Sequence, residues 1–307
     1  MSNVLVIGGQ GFVGSHVCDS LATSGHRVRV ISRSSNATVY QNSTAEYLHF
    51  DYKDTDKLED ALKGIDCVIH LASSMVPSSS NLDPVADIES NLVPTVALLE
   101  LMRKVGPKRI IYLSSGGTVY GNPLHVPITE SHPLNPICSY GITKVAVENY
   151  LLMYQTLYGF RPLILRPSNP YGPRQGHFGT QGLINTFLNL ALRSEPLTVW
   201  GDGTVVRDFF YVKDLAKLCE QGVEYSKSGV FNIGSGEGTS INDVIHIVRE
   251  VTGRDLMITY KGRRSYDVSE NYLDVTKAKS ILGWNPEVSI RQGIAEHWDW
   301  LESQYAT

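Results

Sequence analysis

The chain has 307 residues, 42% of them hydrophobic and 19% charged, with a formal net charge of −4. This is the balance of a globular protein with ample length for a core, in one large or two ordinary domains. It excludes a broad basic field for nucleic acid or a membrane surface, and no apolar run reaches the ~18 residues of a bilayer span.

The opening MSNVLVIGGQ lacks a basic region and runs into glycines instead of a cleavage site, so it reads as a strand and not as a signal peptide. Cysteines 18, 67, 138 and 219 are far apart and form no CxxC pair. That usage suits a reducing cytoplasm and argues against a zinc site, so no metal is expected. Serine-rich 73–80 reads as a loop.

Val4 to Ile7 is an unbroken apolar run, as expected of a strand buried on both faces. Glycines 8, 9, 11 and 14 follow at once. Val13, Val17 and Leu21 then recur at helix spacing up to Gly25, and Val28 to Ile31 forms a second buried strand. Strand, glycine turn, helix and strand in this order bring backbone N–H groups at a helix N-terminus close to a pyrophosphate, which the helix dipole favours. An acid usually ends the second strand to bind the ribose 2′-hydroxyl. Here Ser32 and Arg33 stand in that place. A carboxylate would repel a 2′-phosphate, whereas serine and arginine would accept one, so NADP stays open beside NAD. Arg33 is equally open to being a solvated loop cation.

The alternation continues. "YLHFDYKD" reads as a third strand ending in Asp51, "CVIHLAS" as a fourth, "RIIYLSS" as a fifth and "RPLILRPSN" as a sixth. Helical patterns lie between them at 56–63, 88–105 and 139–158. Such alternation implies an α/β fold with a doubly wound parallel sheet and ligands beyond the carboxyl ends of its strands, where Ala72, Ser73, Ser114, Ser115 and Pro167 fall. After Asn169 the pattern changes. "GPRQGHFGTQG" at 172–182 reads as a flexible lid, 183–194 as an amphipathic helix, and "LTVWGDG" as a strand and turn.

In "CSYGITK", Tyr140 and Lys144 stand one helical turn apart. Spacing alone leaves a chance surface pair open. The surrounding motifs decide otherwise. "GGQGFVG", "SSGGTVYG", "YGITK" and "RPSNPYGPRQ", continued by "VWGDGTVVRDFFYVKDLA", "VFNIGSG" and "GWNP", resemble the extended short-chain dehydrogenase/reductase family. Within it they resemble the nucleotide-sugar epimerase/dehydratase group, and most of all UDP-hexose 4-epimerases, over nearly the whole chain. The resemblance implies a Rossmann-like dinucleotide domain, 1–170 with 202–236 returning to it. A smaller substrate domain would comprise 171–201 and 237–307.

The resemblance also gives the pair its chemistry. A free tyrosine, with a pKa near 10, is a poor base. Lys144 and a positive nicotinamide ring are expected to favour the phenolate of Tyr140, which then takes a proton from a sugar hydroxyl while hydride leaves the same carbon. The 4-keto sugar turns and receives hydride on its other face. The family's third hydroxyl falls on Gly116, a departure. Thr118 is the expected substitute and Ser115 the reserve, although either can equally be a backbone cap. No carboxyl group stands at 116–118, so 4,6-dehydration is not expected.

By the same resemblance Gly8, Gln10, Gly11, Phe12 and Val13 meet the pyrophosphate of the cofactor, and Ser32 and Arg33 its adenosine ribose. Asp51 and Tyr52 meet adenine, and Leu71, Ala72 and Ser73 the middle. Asn91, Ser114, Tyr140, Lys144 and Pro167 surround the nicotinamide half, with Asn91 equally open to capping a turn. A nucleotide sugar, UDP-hexose foremost, would meet Ser74, Thr118, Asn169, Val199, Trp200, Arg207, Arg264 and Asp267. Guanidinium forks suit a diphosphate and a carboxylate suits ribose hydroxyls, but Arg207-Asp208 alone also fits a surface ion pair. The gate beside the sugar 2-position falls on Asn271, or on Tyr272 one residue further, so N-acetylated sugars are open. Family members dimerise through two helices per subunit. Here the apolar 88–105 and 139–158 are the candidates for a homodimer. An NADP-dependent ketosugar reductase is the alternative that Ser32-Arg33 favours.

Overall fold

In a computed structural model of the chain, residues 1–33, 40–176, 182–262 and 268–305 are described. The elements run β1 (Asn3–Ile7), α1 (Phe12–Thr23), β2 (Arg27–Ser32), β3 (Glu46–His49), α2 (Thr55–Leu62), β4 (Cys67–His70), α3 (Pro77–Ser80) and α4 (Pro84–Asp87). A π-helical turn (Ile88–Leu92) leads into α5 (Val93–Val105), β5 (Arg109–Leu113), α6 (Ser139–Tyr158), β6 (Arg161–Pro167), β7 (Asn169–Tyr171), α7 (Leu183–Arg193), β8 (Leu197–Trp200), β9 (Val206–Arg207) and β10 (Phe209–Tyr211). Then come α8 (Val212–Glu224), β11 (Gly229–Ile233), β12 (Thr239–Ser240), α9 (Ile241–Thr252), β13 (Ile258–Lys261), β14 (Glu270–Asn271), α10 (Thr276–Leu282) and α11 (Ile290–Tyr305).

The main sheet has the strand order β11-β6-β5-β4-β1-β2-β3. The pairs from β3 across to β6 are parallel. Order reverses between β1 and β4, which makes the switch point of a Rossmann-like sheet. The apolar run of β1 is buried on both faces, as its sequence requires. Leu5 and Ile7 pack with Leu58, Leu98, Leu99, Val147 and Leu151 of α2, α5 and α6. On another part of the sheet Gly222 of α8 lies so close to Ile111 and Leu163 that an added Cβ would come within 2.9 Å of Leu163 Cδ2.

Two elements differ from their sequence reading. The third strand stops at His49, because Asp54 N–H turns back to the Asp51 carbonyl at 2.8 Å and the Asp54 side chain caps α2. The helix expected over 88–105 begins as the π-turn. Pro94 has no N–H to return to the Ser90 carbonyl four residues back, and that carbonyl instead accepts the Tyr52 hydroxyl at 3.1 Å.

The chain divides into two compact units. The first comprises Met1–Gly121, Pro133–Arg166 and Leu215–Phe231 and holds most of the main sheet. The second comprises Asn122–His132, Pro167–Asp214 and Asn232–Thr307. Its own core gathers Tyr171, Phe187, Leu188, Val199, Tyr211, Val248, Trp298 and Leu301. Small sheets β10-β7, β12-β9-β14 and β13-β8 belong to it, and Ile128 is bridged to Leu273. No helix among the described residues is long and apolar enough to cross a membrane.

The glycine turn is the tightest part of the first unit. A Cβ on Gly14 would lie 2.2 Å from the Gly8 carbonyl oxygen. Gly14→Ala is expected to cost about 1–3 kcal/mol of stability in denaturant unfolding. A loss below about 0.5 kcal/mol would mean that the turn relaxes without strain.

Candidate functional site

The glycine turn builds the first half of the site. Gly8 has φ +88°, a left-handed conformation that favours glycine, and an added Cβ would sit 2.9 Å from Ala72 N. Gly11 caps α1 without a side-chain acceptor, so the N–H groups of the first turn, those of Phe12 and Val13 among them, receive no side-chain cap. Beside this turn lies a cleft of about 370 Å³, lined by Gly8, Gln10, Gly11, Ser32, Arg33, Asp51, Tyr52 and the strand-end run Leu71 to Ser74. Of the residues expected at the dinucleotide, Gly8, Gln10, Gly11, Ser32, Arg33, Asp51, Tyr52, Leu71, Ala72 and Ser73 line this cleft, whereas Phe12, Val13, Asn91, Ser114, Tyr140, Lys144 and Pro167 are not among its lining. A backbone that no side chain fills, at an uncapped helix N-terminus, fits a pyrophosphate.

Details within the cleft refine individual residues. The Ser32 hydroxyl donates to Gln10 Oε1. Tyr52 is buried and its hydroxyl is spent on Ser90, so it offers the cleft a ring face. Asn91 is buried on the π-turn. Its amide donates to Asp87 and its carbonyl accepts from Ser74 N at 2.9 Å, so its role is to shape the loop after β4. His70 is a packed histidine: burial lowers its pKa to about 3, and Nε2 pairs with Thr95 Oγ1 at 2.8 Å.

Helix α6 supplies the second half. Its N-terminus has no local side-chain cap. Asn81 Oδ1 accepts from Ser139 N at 2.8 Å and Ser80 Oγ from Tyr140 N at 3.1 Å instead. The serine-rich stretch expected as a loop therefore contains one helical turn, α3, that seats α6. Gly141 permits a close approach on the other side, since a Cβ there would lie 2.9 Å from the Thr118 carbonyl oxygen. These contacts fix the direction of Tyr140 and Lys144.

Lys144 is buried, and its Nζ donates to the Leu113 carbonyl at the end of β5 at 2.8 Å. Nζ lies 4.8 Å from the Tyr112 ring centroid and 5.4 Å from that of Tyr140. Burial lowers the Lys144 pKa to about 8, opposed by the charges of Glu148 and Asp87. Burial likewise pushes Tyr140 up to about 12, with Cys138 and Asp87 adding and a hydrogen bond from Ser115 subtracting. The sequence reading gives the phenolate two supports, Lys144 and a positive nicotinamide ring; in the protein alone desolvation is the largest influence on Tyr140 and raises it.

The 114–118 turn sorts the three hydroxyls. Ser114, expected at the nicotinamide, donates its hydroxyl to the buried carboxylate of Glu148. Glu148 is in turn gripped by Arg166, whose Nε lies 3.0 Å from Oε1 and whose Nη1 donates to the Tyr120 hydroxyl at 2.9 Å. Ser115 is the hydroxyl of the three that lowers the Tyr140 pKa. Thr118 Oγ1 is buried without a hydrogen-bond partner, so it stands below the surface where the sequence reading expected it to point at a ligand.

In the second unit Pro167 closes β6, and Asn169 donates its side-chain amide to the Asp208 carbonyl at 2.8 Å. Strand alternation turns Val199 into the core and leaves Trp200 exposed, with Lys261 Nζ 5.4 Å from its ring. Val199 therefore has backbone, not side chain, to offer a ligand. Arg207 on β9 is in register with Asn271 on β14 and Thr239 on β12. Asp208 is wholly buried and accepts from Ser235 N and Oγ, which removes the surface ion pair reading. A hollow lined by Gly201, Asp202, Thr204, Tyr260 and Lys261 lies beside Trp200. Arg264 and Asp267 lie outside the described residues.

Sequence reasoning missed Ser80, Asn81, Asp87, Glu148 and Arg166. Only the i,i+4 spacing of Lys144 and Glu148 was a signal available to find one of them.

Residues 4–234 match the model of the NAD dependent epimerase/dehydratase family. The UDP-glucose 4-epimerase of Mycolicibacterium smegmatis is 33% identical over 300 residues, covering 95% of this chain and 96% of that one. The crystal structure of the UDP-glucose 4-epimerase of Thermotoga maritima with UDP-glucose superposes with a TM-score of 0.94 at 36% identity, covering 99% of both chains. That of the Thermus thermophilus enzyme, in complex with NAD, gives 0.90 at 32%, covering 98% of this chain and 99% of the other.

Comparing Tyr140→Phe with the parent in a tyrosinate absorbance titration isolates one phenol. The parent's additional step is expected near pH 12 in the protein alone. A step below the ordinary tyrosine pKa, about 10, would mean that Lys144 outweighs burial.

Proposed function

Because the chain belongs to the NAD dependent epimerase/dehydratase family, we propose that it is a UDP-hexose 4-epimerase, interconverting UDP-glucose and UDP-galactose with NAD. The observation that carries the reading is Tyr140 and Lys144 seated together on α6 in the same unit as the uncapped glycine turn. Relatives named UDP-glucose 4-epimerase over nearly the full length support it. A ketosugar reductase, which Ser32-Arg33 favoured, draws no support from them, and the family's own coenzyme is NAD.

Bound NAD supplies reversible hydride acceptance at the sugar carbon. The chain's residues do the rest. Tyr140 takes the proton of the 4-hydroxyl and returns it to the 4-keto sugar after the sugar turns. Lys144 stands beside Tyr140 to favour its phenolate, and a bound coenzyme would add the positive charge of its nicotinamide ring to the same end. Lys144 has spent one of its three donors on Leu113 and keeps two for the nicotinamide ribose and the phenol oxygen. Ser115, whose hydroxyl lowers the Tyr140 pKa, takes the place of the hydroxyl missing at Gly116. On the substrate side Ser74, Asn169, Trp200 and Arg207, with the backbone of Val199, serve the nucleotide sugar. Arg264 and Asp267 are assigned there by resemblance. Asn271, smaller than an aromatic gate, extends the reading to the N-acetyl forms.

We infer a homodimer formed through 88–105 and 139–158. Ile142, Tyr150, Met153 and Leu157 form an exposed apolar stripe at helical spacing along α6, and Ile88 and Val93 are exposed on the other segment. A cytoplasmic location fits the free cysteines.

The purified protein is expected to convert UDP-glucose to UDP-galactose without added coenzyme and to release NAD on denaturation. Tyr140→Phe should lower kcat by about 10²–10⁴-fold. Stoichiometric bleaching of added NADPH by a 4-ketosugar, with no epimerisation, would replace this reading with the reductase. Leu157→Glu is expected to shift the molecular mass in sedimentation from two chains toward one, and an unchanged mass would remove α6 from the interface.

A further inference from the structure

Asp87 is wholly buried, and nothing in the reaction above uses it. It ends the one-turn α4 and enters the π-turn, a local irregularity often found at functional sites. Three neutral donors meet its carboxylate. Asn91 Nδ2 lies 2.8 Å from Oδ1, Ser139 Oγ 2.7 Å from Oδ2, and Thr143 Oγ1 3.0 Å from Oδ2. Ser139 and Thr143 are one turn apart on α6, and each adjoins a member of the proton-transfer pair, Tyr140 and Lys144. Asp87 thus grips α6 from the side that the Ser80 and Asn81 caps leave open.

A buried charge held only by neutral partners is costly unless an opposite charge stands near. Asp87 and Lys144 line one small cavity together with Tyr140 and Thr143. Its volume is about 10 Å³, room for roughly one water. Glu148, the other carboxylate that raises Lys144, is itself paired with Arg166, and Asp87 acts beside it. Asp87 has no ion-pair partner among the described residues, so its charge is free to act across the cavity.

We propose that Asp87 is a positioning residue for the reaction, clamping the first turn of α6 through Ser139 and Thr143 and keeping Lys144 an ammonium across the shared cavity. This rests on the epimerase reading of Tyr140 and Lys144.

The titratable groups facing the cavity are Lys144 and Tyr140 from α6, with Glu148 one turn further, His70 from β4 and Tyr112 from β5. His70 stays neutral and Tyr112 stays protonated, both through burial. Cys138, just before α6, also faces Tyr140, and the two groups whose titration the proposal concerns are Lys144 and Tyr140. Removing the negative charge of Asp87 lowers the pKa of both, because it favours the ammonium and opposes the phenolate. The acid and alkaline limbs should therefore move together toward lower pH.

The test is Asp87→Asn, which keeps the shape and removes the charge. Its first readout is the ¹⁵N titration of Lys144 Nζ, assigned by comparison with Lys144→Arg, and its second is the pH profile of kcat. The Lys144 midpoint and both limbs of the profile are expected to fall by about one unit. KM should stay within about twofold, as for a group that does not touch substrate. A folded Asp87→Asn with an unmoved Lys144 midpoint, or with kcat reduced equally at all pH values, overturns the proposal. A shifted midpoint in a protein whose parent does not epimerise overturns the epimerase reading and leaves the charge-setting role standing. If Asp87→Asn does not fold, Thr143→Val tests the clamp alone. It should lower kcat without displacing the profile, and unchanged kcat overturns the clamp.

Discussion

An ammonium held out of water is the constraint around which the first unit is arranged. Lys144 is buried, and a buried cation must find compensation in its immediate surroundings or lose its proton. One donor meets the Leu113 carbonyl, which the sheet leaves free at the end of β5. The Tyr112 ring lies under the ammonium. Two carboxylates, Glu148 and Asp87, raise what burial lowers. Helix and strand end cannot move independently once these contacts exist. Tyr140, one turn before Lys144, inherits its position from a lysine that could not otherwise remain charged.

The irregular parts of the fold serve the same arrangement. Pro94 removes an N–H from the helix interior, and the preceding turn widens. The carbonyl so released holds Tyr52, whose ring lies edge-on to His70. The wide turn also sets Asn91 four residues after Asp87, with its amide on that carboxylate and its carbonyl on Ser74 N. One proline thereby links the wall of the dinucleotide cleft, the loop after β4 and the floor beneath α6.

The fold was largely legible in the sequence. Buried parallel strands carry unbroken apolar runs, and the 3.6-residue period of α6 fixed its limits at 139 and 158. The glycine turn was legible because only the absence of a Cβ permits the contacts of Gly8 and Gly14. The supports of the site were not. Ser80, Asn81 and Asp87 lie about sixty residues before their partners on α6, and no local period connects such positions. Ser114 misled for a related reason. A serine at a strand end reads as pointing to a ligand, yet here it completes the buried Glu148–Arg166 pair. Nor does a spacing rule report desolvation, so the direction of the Tyr140 shift in the protein alone could not be read from a neighbouring lysine.

The choice between two hydroxyls turns on the same physics. By the family resemblance a hydroxyl donor was expected at Gly116, and Ser115 and Thr118 are the hydroxyls flanking it. A donor that strengthens as charge develops must touch the group that becomes charged. Ser115 is the better placed of the two, because its hydroxyl lowers the Tyr140 pKa and so favours phenolate. Thr118 does not, since its oxygen is buried and unpartnered beneath the turn, while its carbonyl side faces Gly141. Gly141 belongs to the same arrangement, because only a missing Cβ lets α6 come so close to the Thr118 carbonyl.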